Sequence, residues 1–163
     1  VQPHFVYLAA TQSIKVGVTR STQIPDRWID QGAERALPIA KVPYRKLAGQ
    51  IEVALKKLFT DKTNWQAMVK GQDNPELSLE EARNRAFDAL GPSFEPYFLS
   101  EEKPLHLKYP IQGYPQEVRS LNLQKQASYS GLLRGIRGQY LLFEDGTVFN
   151  VRSSSGLVVQ LSY

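Results

Sequence analysis

The sequence contains no cysteine, and only two of its 163 residues are histidine. The missing thiols exclude disulfides and the usual cysteine-based zinc sites within these residues. His4 and His106 lack the spacing of metal ligands, so no zinc is expected. No apolar run approaches the ~18 residues that a membrane span needs. We therefore expect no membrane association.

A secretion signal is also missing, because no charged segment followed by an apolar one stands at the start. Together with the absence of cysteine, this favours a reducing cytoplasm. The chain begins with Val1 rather than methionine, and we expect it to be a piece of a longer or processed protein. With 42% hydrophobic and 22% charged residues, it has the composition of a globular domain rather than of a disordered segment.

The net charge of +4 is unevenly distributed. Residues 1–71 carry 11 Lys and Arg against 5 Asp and Glu, whereas residues 72–104 carry 3 against 8 and residues 105–163 carry 6 against 3. Two basic segments around an acidic one suit a polyanion such as nucleic acid. The alternative is a chance difference between solvated faces.

The first third of the chain predicts a hairpin, a short helix, a strand and a longer helix. The hairpin follows from two runs of β-forming residues separated by three polar ones. The third strand contains Pro38, which favours a sheet edge, and the longer helix follows from apolar residues at helical spacing. The predicted ranges are His4–Ala10, Ile14–Thr19, Ile24–Gln31, Ala36–Val42 and Arg45–Phe59.

Two further helices and a connector are predicted in the middle of the chain. Thr63 with Gln66 forms a T-x-x-Q capping box, and Ser78 with Glu81 forms a second one before a helix over Leu79–Leu90. The segment from Gly91 to Gly113 is rich in proline and lacks periodicity, so we expect a connector.

The last fifty residues predict only strands. Asp145-Gly146 between apolar residues is a strong hairpin signal. Five short strands with frequent glycine predict a small β-module, either barrel-like or a curled sheet, over Val118–Leu123, Tyr129–Leu133, Gln139–Phe143, Thr147–Arg152 and Leu157–Leu161. The predicted division is a core at 1–71, an acidic helix with a proline-rich connector at 72–115, and the β-module at 116–163, giving an α+β fold.

The order of elements in the core resembles the GIY-YIG nuclease superfamily. Phe5-Val6-Tyr7 stands at the first motif of that superfamily, and Lys15-Val16-Gly17 stands at the second. More specifically, several runs resemble one bacterial family of unknown function whose members usually begin with a cysteine-rich segment. Those runs are His4–Tyr7, Lys15–Arg20, Ile24–Ala33, Asp61–Trp65 and Gly138–Leu141. Without that cysteine-rich segment, the chain is expected to be a C-terminal piece.

The resemblance implies catalytic roles for Tyr7, Arg27 and Glu52. Tyr7 would orient or deprotonate the attacking water, Arg27 would clamp the phosphate, and Glu52 would hold Mg²⁺, which prefers carboxylate oxygen. Gly17 would let the backbone approach the cleft closely. We expect Lys15, Gly17, Arg20 and Trp65 to contact the nucleic acid, with Trp65 stacking on a base. Each of these residues also has a plain structural interpretation, as a core or surface residue.

Two positions depart from the superfamily pattern. Lys15 replaces the second tyrosine, and Val18 replaces a lysine common in the active nucleases. The sequence therefore predicts a divergent nucleic-acid-acting protein, a Mg²⁺-dependent phosphodiesterase. The alternatives are a catalytically inactive nucleic-acid-binding module and a protein-interaction domain that docks its partner through the β-module.

Overall fold

The computed structural model describes residues 2–60 and 62–163, which form a mixed α+β protein with two four-stranded sheets. The predicted hairpin is present as β1 (His4–Ala10) and β2 (Ile14–Arg20), which pair antiparallel. β3 (Arg35–Val42) pairs antiparallel with the other side of β1. The N-terminal sheet is therefore built on β1 as a central strand.

The two faces of β1 bury different elements, because successive side chains of a strand point to opposite faces. Val6 and Leu8 belong to the main core with α2 (Arg45–Leu55), whereas Tyr7 packs on the opposite face against Trp28 of α1 (Asp26–Asp30). The sheet therefore lies between the two helices.

The longer predicted helix is four residues too long. It ends at Leu55, and the backbone amides of Leu58 and Phe59 donate to the Leu55 carbonyl in a tighter turn. Ala54 is exposed and Leu58 is 37% exposed, so the buried stripe is narrower than the sequence spacing predicts. Closing the last turn around Leu55 buries Phe59 instead.

The capping predictions are half right. Ser78 accepts a hydrogen bond from the Glu81 amide at the start of α4 (Leu79–Leu90), as predicted. The cap predicted at Thr63 is wrong by one residue, because Asn64 accepts the bond from the Ala67 amide and begins α3 (Trp65–Val69).

Pro38 does not place β3 at a sheet edge. β4 (Leu105–His106) pairs with the start of β3, at Arg35 and Ala36, so β3 is an inner strand. Pro38 is tolerated there because β4 is only two residues long and ends before it. The predicted connector therefore adds a strand to the N-terminal sheet.

The C-terminal strands form a four-stranded sheet in the order β5-β8-β7-β6, and the described residues contain no closed barrel, so of the two predicted forms the sheet is the one present. β6 and β7 pair antiparallel, as do β7 and β8, whereas β5 and β8 are parallel. β5 and β6 are the two edges of this sheet. Among the described residues no strand pairs with both of them to close the sheet into a barrel. The strands are β5 (Arg119–Ser120), β6 (Leu133–Arg137), β7 (Tyr140–Phe143) and β8 (Thr147–Asn150).

Four of the five predicted C-terminal strands differ from the structure by two residues or more, including Thr147–Arg152, which ends at Asn150. Val118–Leu123 contributes only two paired residues, and Tyr129–Leu133 is strand only at Leu133. Leu157–Leu161 forms no strand, and Val158 is fully exposed. The Asp145-Gly146 turn is confirmed, since Gly146 has a φ of +88° between β7 and β8.

Strand pairing keeps the two sheets separate within the described residues, as predicted. Side chains nevertheless connect them: Arg137 of β6 donates to the carbonyls of Gly32 and Met68 and pairs with Asp73. The backbone of Gly138 lies against that of Asp30, where a Cβ would come within 2.9 Å of a carbonyl oxygen. Among the described helices, none is long and apolar enough to cross a membrane.

Candidate functional site

Tyr7 lies across the edge strand of the N-terminal sheet. It pairs with Gly17 in the β1–β2 register, so both residues share one face of the sheet. A Cβ added to Gly17 would lie 2.5 Å from the Tyr7 hydroxyl oxygen and 2.6 Å from its ring. The absence of a side chain at Gly17 therefore lets the ring pass over β2 and carries the hydroxyl toward the sheet edge.

The Tyr7 hydroxyl meets the carboxamide of Gln31, whose Nε2 lies 2.8 Å and whose Oε1 lies 3.0 Å from it. Burial raises the Tyr7 pKa above its usual value near 10. The Gln31 hydrogen bond and the nearby positive charge of Arg27 oppose that rise, and the negative charge of Glu52 adds to it. Arg27 and Glu52 thus both influence the pKa of the Tyr7 hydroxyl, in opposite directions. The hydroxyl stays protonated at neutral pH.

Replacing Gly17 with alanine is expected to lower the free energy of unfolding by about 1–3 kcal/mol, because the Tyr7 ring must move away from the new methyl group. The Gln31 hydrogen bond should weaken with it. Chemical denaturation measures the change. Gly113→Ala is the matched control, since a Cβ there meets nothing within 4 Å. Equal stability of the two variants would contradict the close packing of Tyr7 on Gly17.

A cavity of about 300 Å³, here called the cationic cleft, opens beside this group. Lys15, Arg27 and Gln31 line it from the N-terminal sheet and α1. Lys15 also donates to Thr63 at 3.4 Å, because the backbone before α3 runs along the outer edge of β2. The cleft therefore brings together Lys15, Arg27 and Trp65, three residues singled out from the sequence.

The C-terminal sheet completes the cationic cleft. Tyr140 and Arg152 line it opposite the N-terminal residues. Trp65 stacks on Tyr140 with ring centroids 5.5 Å apart and planes 7° apart, and Trp65 stays partly accessible. Arg152 lies 3.7 Å from Asp30, and both are more than half exposed, so this ion pair leaves the guanidinium available to a stronger anion.

The cationic cleft is not lined by four of the seven residues predicted for the site: Tyr7, Gly17, Arg20 and Glu52. Arg20 is exposed and lines a separate depression with His4 and Arg45. Glu52 is half-buried on α2 and is not part of the cleft wall, although its charge reaches the Tyr7 hydroxyl. Asp61, part of one run that carries the resemblance, is outside the described residues.

The carboxylates do not assemble into a metal centre. Among residues 2–60 and 62–163, no group of three or more His, Cys, Asp or Glu is arranged to hold a metal ion. Mg²⁺ is commonly bound by one or two carboxylates, several waters and a substrate phosphate. A single half-buried carboxylate, Glu52, fits that minimal donor set but not a site made wholly of protein ligands.

Sequence reasoning missed Gln31, Tyr140 and Arg152 as parts of the site. Gln31 follows Arg27 by four residues, which places both on one side of α1, and this spacing was the available signal. Tyr140 and Arg152 lie more than a hundred residues after Lys15, and nothing local in the sequence links them. Only the packing of the second sheet brings them to the cleft.

Comparisons with known proteins give a family and no activity. No curated protein matches the chain, and no solved structure matches it. A family model described as "Protein of unknown function (DUF2797)" matches residues 1–159, which is nearly the whole sequence. The Tyr7–Gln31 hydrogen bonds and the cationic cleft are thus features of a chain that belongs to the DUF2797 family.

Proposed function

We propose that this protein binds nucleic acid in the cationic cleft and hydrolyses a phosphodiester beside it, as a divergent relative of the GIY-YIG nucleases. The observation that carries the proposal is geometric: the Tyr7 ring passes over Gly17, and its hydroxyl meets Gln31 at the wall of the cleft that Arg27 also lines. A tyrosine, an arginine and a carboxylate are the catalytic groups that the resemblance to those nucleases implies.

The cleft supplies the affinity in this proposal. Lys15, Arg27 and Arg152 present three cations to it, and phosphate contacts from such residues supply most of the non-specific affinity for nucleic acid. The planar guanidinium of Arg27 is suited to gripping a phosphate with two parallel hydrogen bonds. Trp65 offers a ring face on which a base can stack.

Tyr7 and Arg27 act on the reacting groups in this proposal. The oxygen of a water attacks phosphorus as the bond to the leaving oxygen breaks, and the proton that the water loses passes through solvent to the leaving oxygen. Because its pKa is raised, Tyr7 is protonated at neutral pH and acts by orienting the water through its hydroxyl. Arg27 neutralises the charge that develops on the phosphate oxygens.

Glu52 is the residue that would hold Mg²⁺, together with the phosphate and water. When bound, Mg²⁺ would stabilise negative charge on the phosphate and lower the pKa of a coordinated water. Glu52 is suited to this task because it is half-buried yet remains within electrostatic reach of Tyr7.

A second candidate is a nucleic-acid-binding module without hydrolysis. One observation favours it: Tyr7 is only 1% exposed, and the Gln31 carboxamide covers its hydroxyl. Hydrolysis requires Gln31 to move aside, whereas binding in the cationic cleft does not. Lys15, which stands where the nucleases have their second tyrosine, supports phosphate contact but cannot replace a phenol.

The test measures binding and cleavage in one set of samples. Plasmid DNA and structured RNA are incubated with the protein in Mg²⁺ or in chelator, and affinity is measured over a range of salt concentrations. Three phosphate contacts predict a slope of log K against log salt of about −2 to −3. Arg27→Ala is expected to weaken binding to all sequences, reduce that slope by about 1 and suppress cleavage.

The matched control is Lys103→Ala, which removes an exposed cation from the acidic segment and should leave the slope unchanged. Binding without hydrolysis on any substrate would overturn the nuclease proposal and support the inactive binding module. No binding at low salt would overturn both, and would leave protein docking as the remaining alternative.

A further inference from the structure

A second cavity, of about 370 Å³, shares Trp65 and Tyr140 with the cationic cleft. The rest of its wall comes from the C-terminal third, including Asn122, Gln124 and Asn150, three serines at 153–155 and Leu157. We call it the uncharged pocket, because none of the described residues that line it carries a charge.

The residues that line the uncharged pocket indicate what kind of ligand it can bind. Serine, asparagine and glutamine side chains offer both donors and acceptors to an uncharged polar group, and an aromatic wall favours a planar one. A volume of 370 Å³ lies at the small end of the usual range of about 300–1,000 Å³ for ligand pockets. A single nucleobase meets all three requirements, whereas a base-paired duplex is too large.

Part of this polar lining has no partner within the described residues. Asn150 is already engaged, since its Nδ2 donates to the Tyr140 hydroxyl at 3.2 Å and its Oδ1 accepts from the Ser153 amide. Asn122 accepts from the Gln124 amide through its Oδ1 only. The Asn122 Nδ2 and the whole Gln124 carboxamide make no hydrogen bond in the part of the chain that the structure describes. These atoms are the ones available to read a base edge.

The two cavities meet at the Trp65–Tyr140 stack. A nucleotide joins a charged phosphate to an uncharged planar base, which is the same pairing of properties that the cationic cleft and the uncharged pocket present side by side. We propose that the uncharged pocket binds one unpaired nucleobase of the strand whose phosphates lie in the cationic cleft. This inference rests on the proposed function and adds to it a substrate class, single-stranded or unpaired nucleic acid.

The experiment compares a short labelled single-stranded oligodeoxynucleotide with an abasic oligonucleotide of equal length, by fluorescence anisotropy at fixed salt. The base-containing strand is expected to bind about 5- to 150-fold more tightly, the equivalent of the ~1–3 kcal/mol that stacking of one base contributes. Trp65→Ala should remove this preference, so that the two strands bind with equal affinity. Trp65→Phe, which retains a ring, should preserve most of the preference.

Two further variants separate the pocket from a general effect of aromatic loss. Gln124→Ala, at an exposed position, should reduce affinity for the base-containing strand by about 2- to 10-fold, the effect of one lost hydrogen bond. Tyr44→Ala is the matched control, because it removes a 48% exposed ring that lines neither cavity. It should leave the affinities for both strands unchanged.

Equal affinity of the parent for both strands would overturn the pocket while leaving the proposed function intact. Failure to bind either strand at low salt would overturn both. A free nucleoside monophosphate is expected to compete at least about tenfold more weakly than the oligonucleotide, because it offers one phosphate to a cleft with three cations. Equal competition would assign the pocket to free nucleotides and would also overturn the proposal.

Discussion

Arg137→Met is expected to lower the free energy of unfolding by about 3–5 kcal/mol, the usual cost of removing one partner of a buried ion pair. Arg137 is 1% exposed, and its two terminal nitrogens lie 2.7 and 2.8 Å from the carboxylate oxygens of Asp73. Its Nε also donates to the Gly32 carbonyl at 3.0 Å. Methionine fills much of the same volume but leaves these acceptors without a donor.

The decrease in the free energy of unfolding should be large because Arg137 connects segments that are far apart in the chain. Its guanidinium also lies over the rings of Tyr109 and Tyr114, at 5.3 and 5.8 Å, and donates to the Tyr114 hydroxyl. One side chain thus joins β6, the loop after α1, the end of α3 and the proline-rich segment. Without it, the C-terminal sheet should separate from the N-terminal one at lower denaturant concentration.

A double-mutant cycle with Asp73→Asn tests the pair itself. Asp73→Asn leaves the buried Arg137 without its counter-ion, and Arg137→Met leaves the partly buried Asp73 without its own. The double variant should therefore lose less free energy of unfolding than the two single variants together. Arg119→Met is the matched control, because Arg119 pairs with Asp145 at the surface and is 68% exposed, and its loss should cost at most about 1 kcal/mol. An Arg137→Met protein within about 1 kcal/mol of the parent would contradict the central role of the guanidinium.

Glu52→Gln is expected to reduce Mg²⁺-dependent hydrolysis by about 100-fold or more, while affinity for nucleic acid stays within about twofold. The substitution keeps the shape of the side chain but removes the charge that would hold the metal against the phosphate. Binding is preserved because Glu52 is not part of the cationic cleft. The assay is initial-rate cleavage with saturating substrate, alongside anisotropy for binding.

A second measurement tests the position of Glu52 even if the parent shows no hydrolysis. Its negative charge raises the Tyr7 pKa, so Glu52→Gln should lower that pKa, and Arg27→Ala should raise it. Tyrosine ring NMR across alkaline pH resolves Tyr7 from the other tyrosines. Glu80→Gln, an exposed substitution on α4, is the control for both assays. An unchanged Tyr7 titration in both Glu52→Gln and Arg27→Ala would show that these residues do not act together.

Much of the local structure was predictable from local signals. The hairpin, the Ser78 cap and the Asp145-Gly146 turn each depend on residues within a few positions of one another. The extents of short strands were less predictable, as Leu157–Leu161 shows: its residues favour a strand, but no neighbouring strand is available to pair with it. A strand exists only when its backbone groups find a partner, and composition alone does not supply one.

The sequence by itself determined the order of the N-terminal elements and which residues have side chains suited to binding or catalysis, since side-chain type and spacing are local properties. Tertiary structure decided which of them meet. It placed Gln31 on the Tyr7 hydroxyl, brought Tyr140 and Arg152 to Lys15 and Arg27, and left Arg20 in another depression. The physical reason is that contacts between distant segments arise from burying the faces of two sheets together, and no periodicity within either segment records the partner.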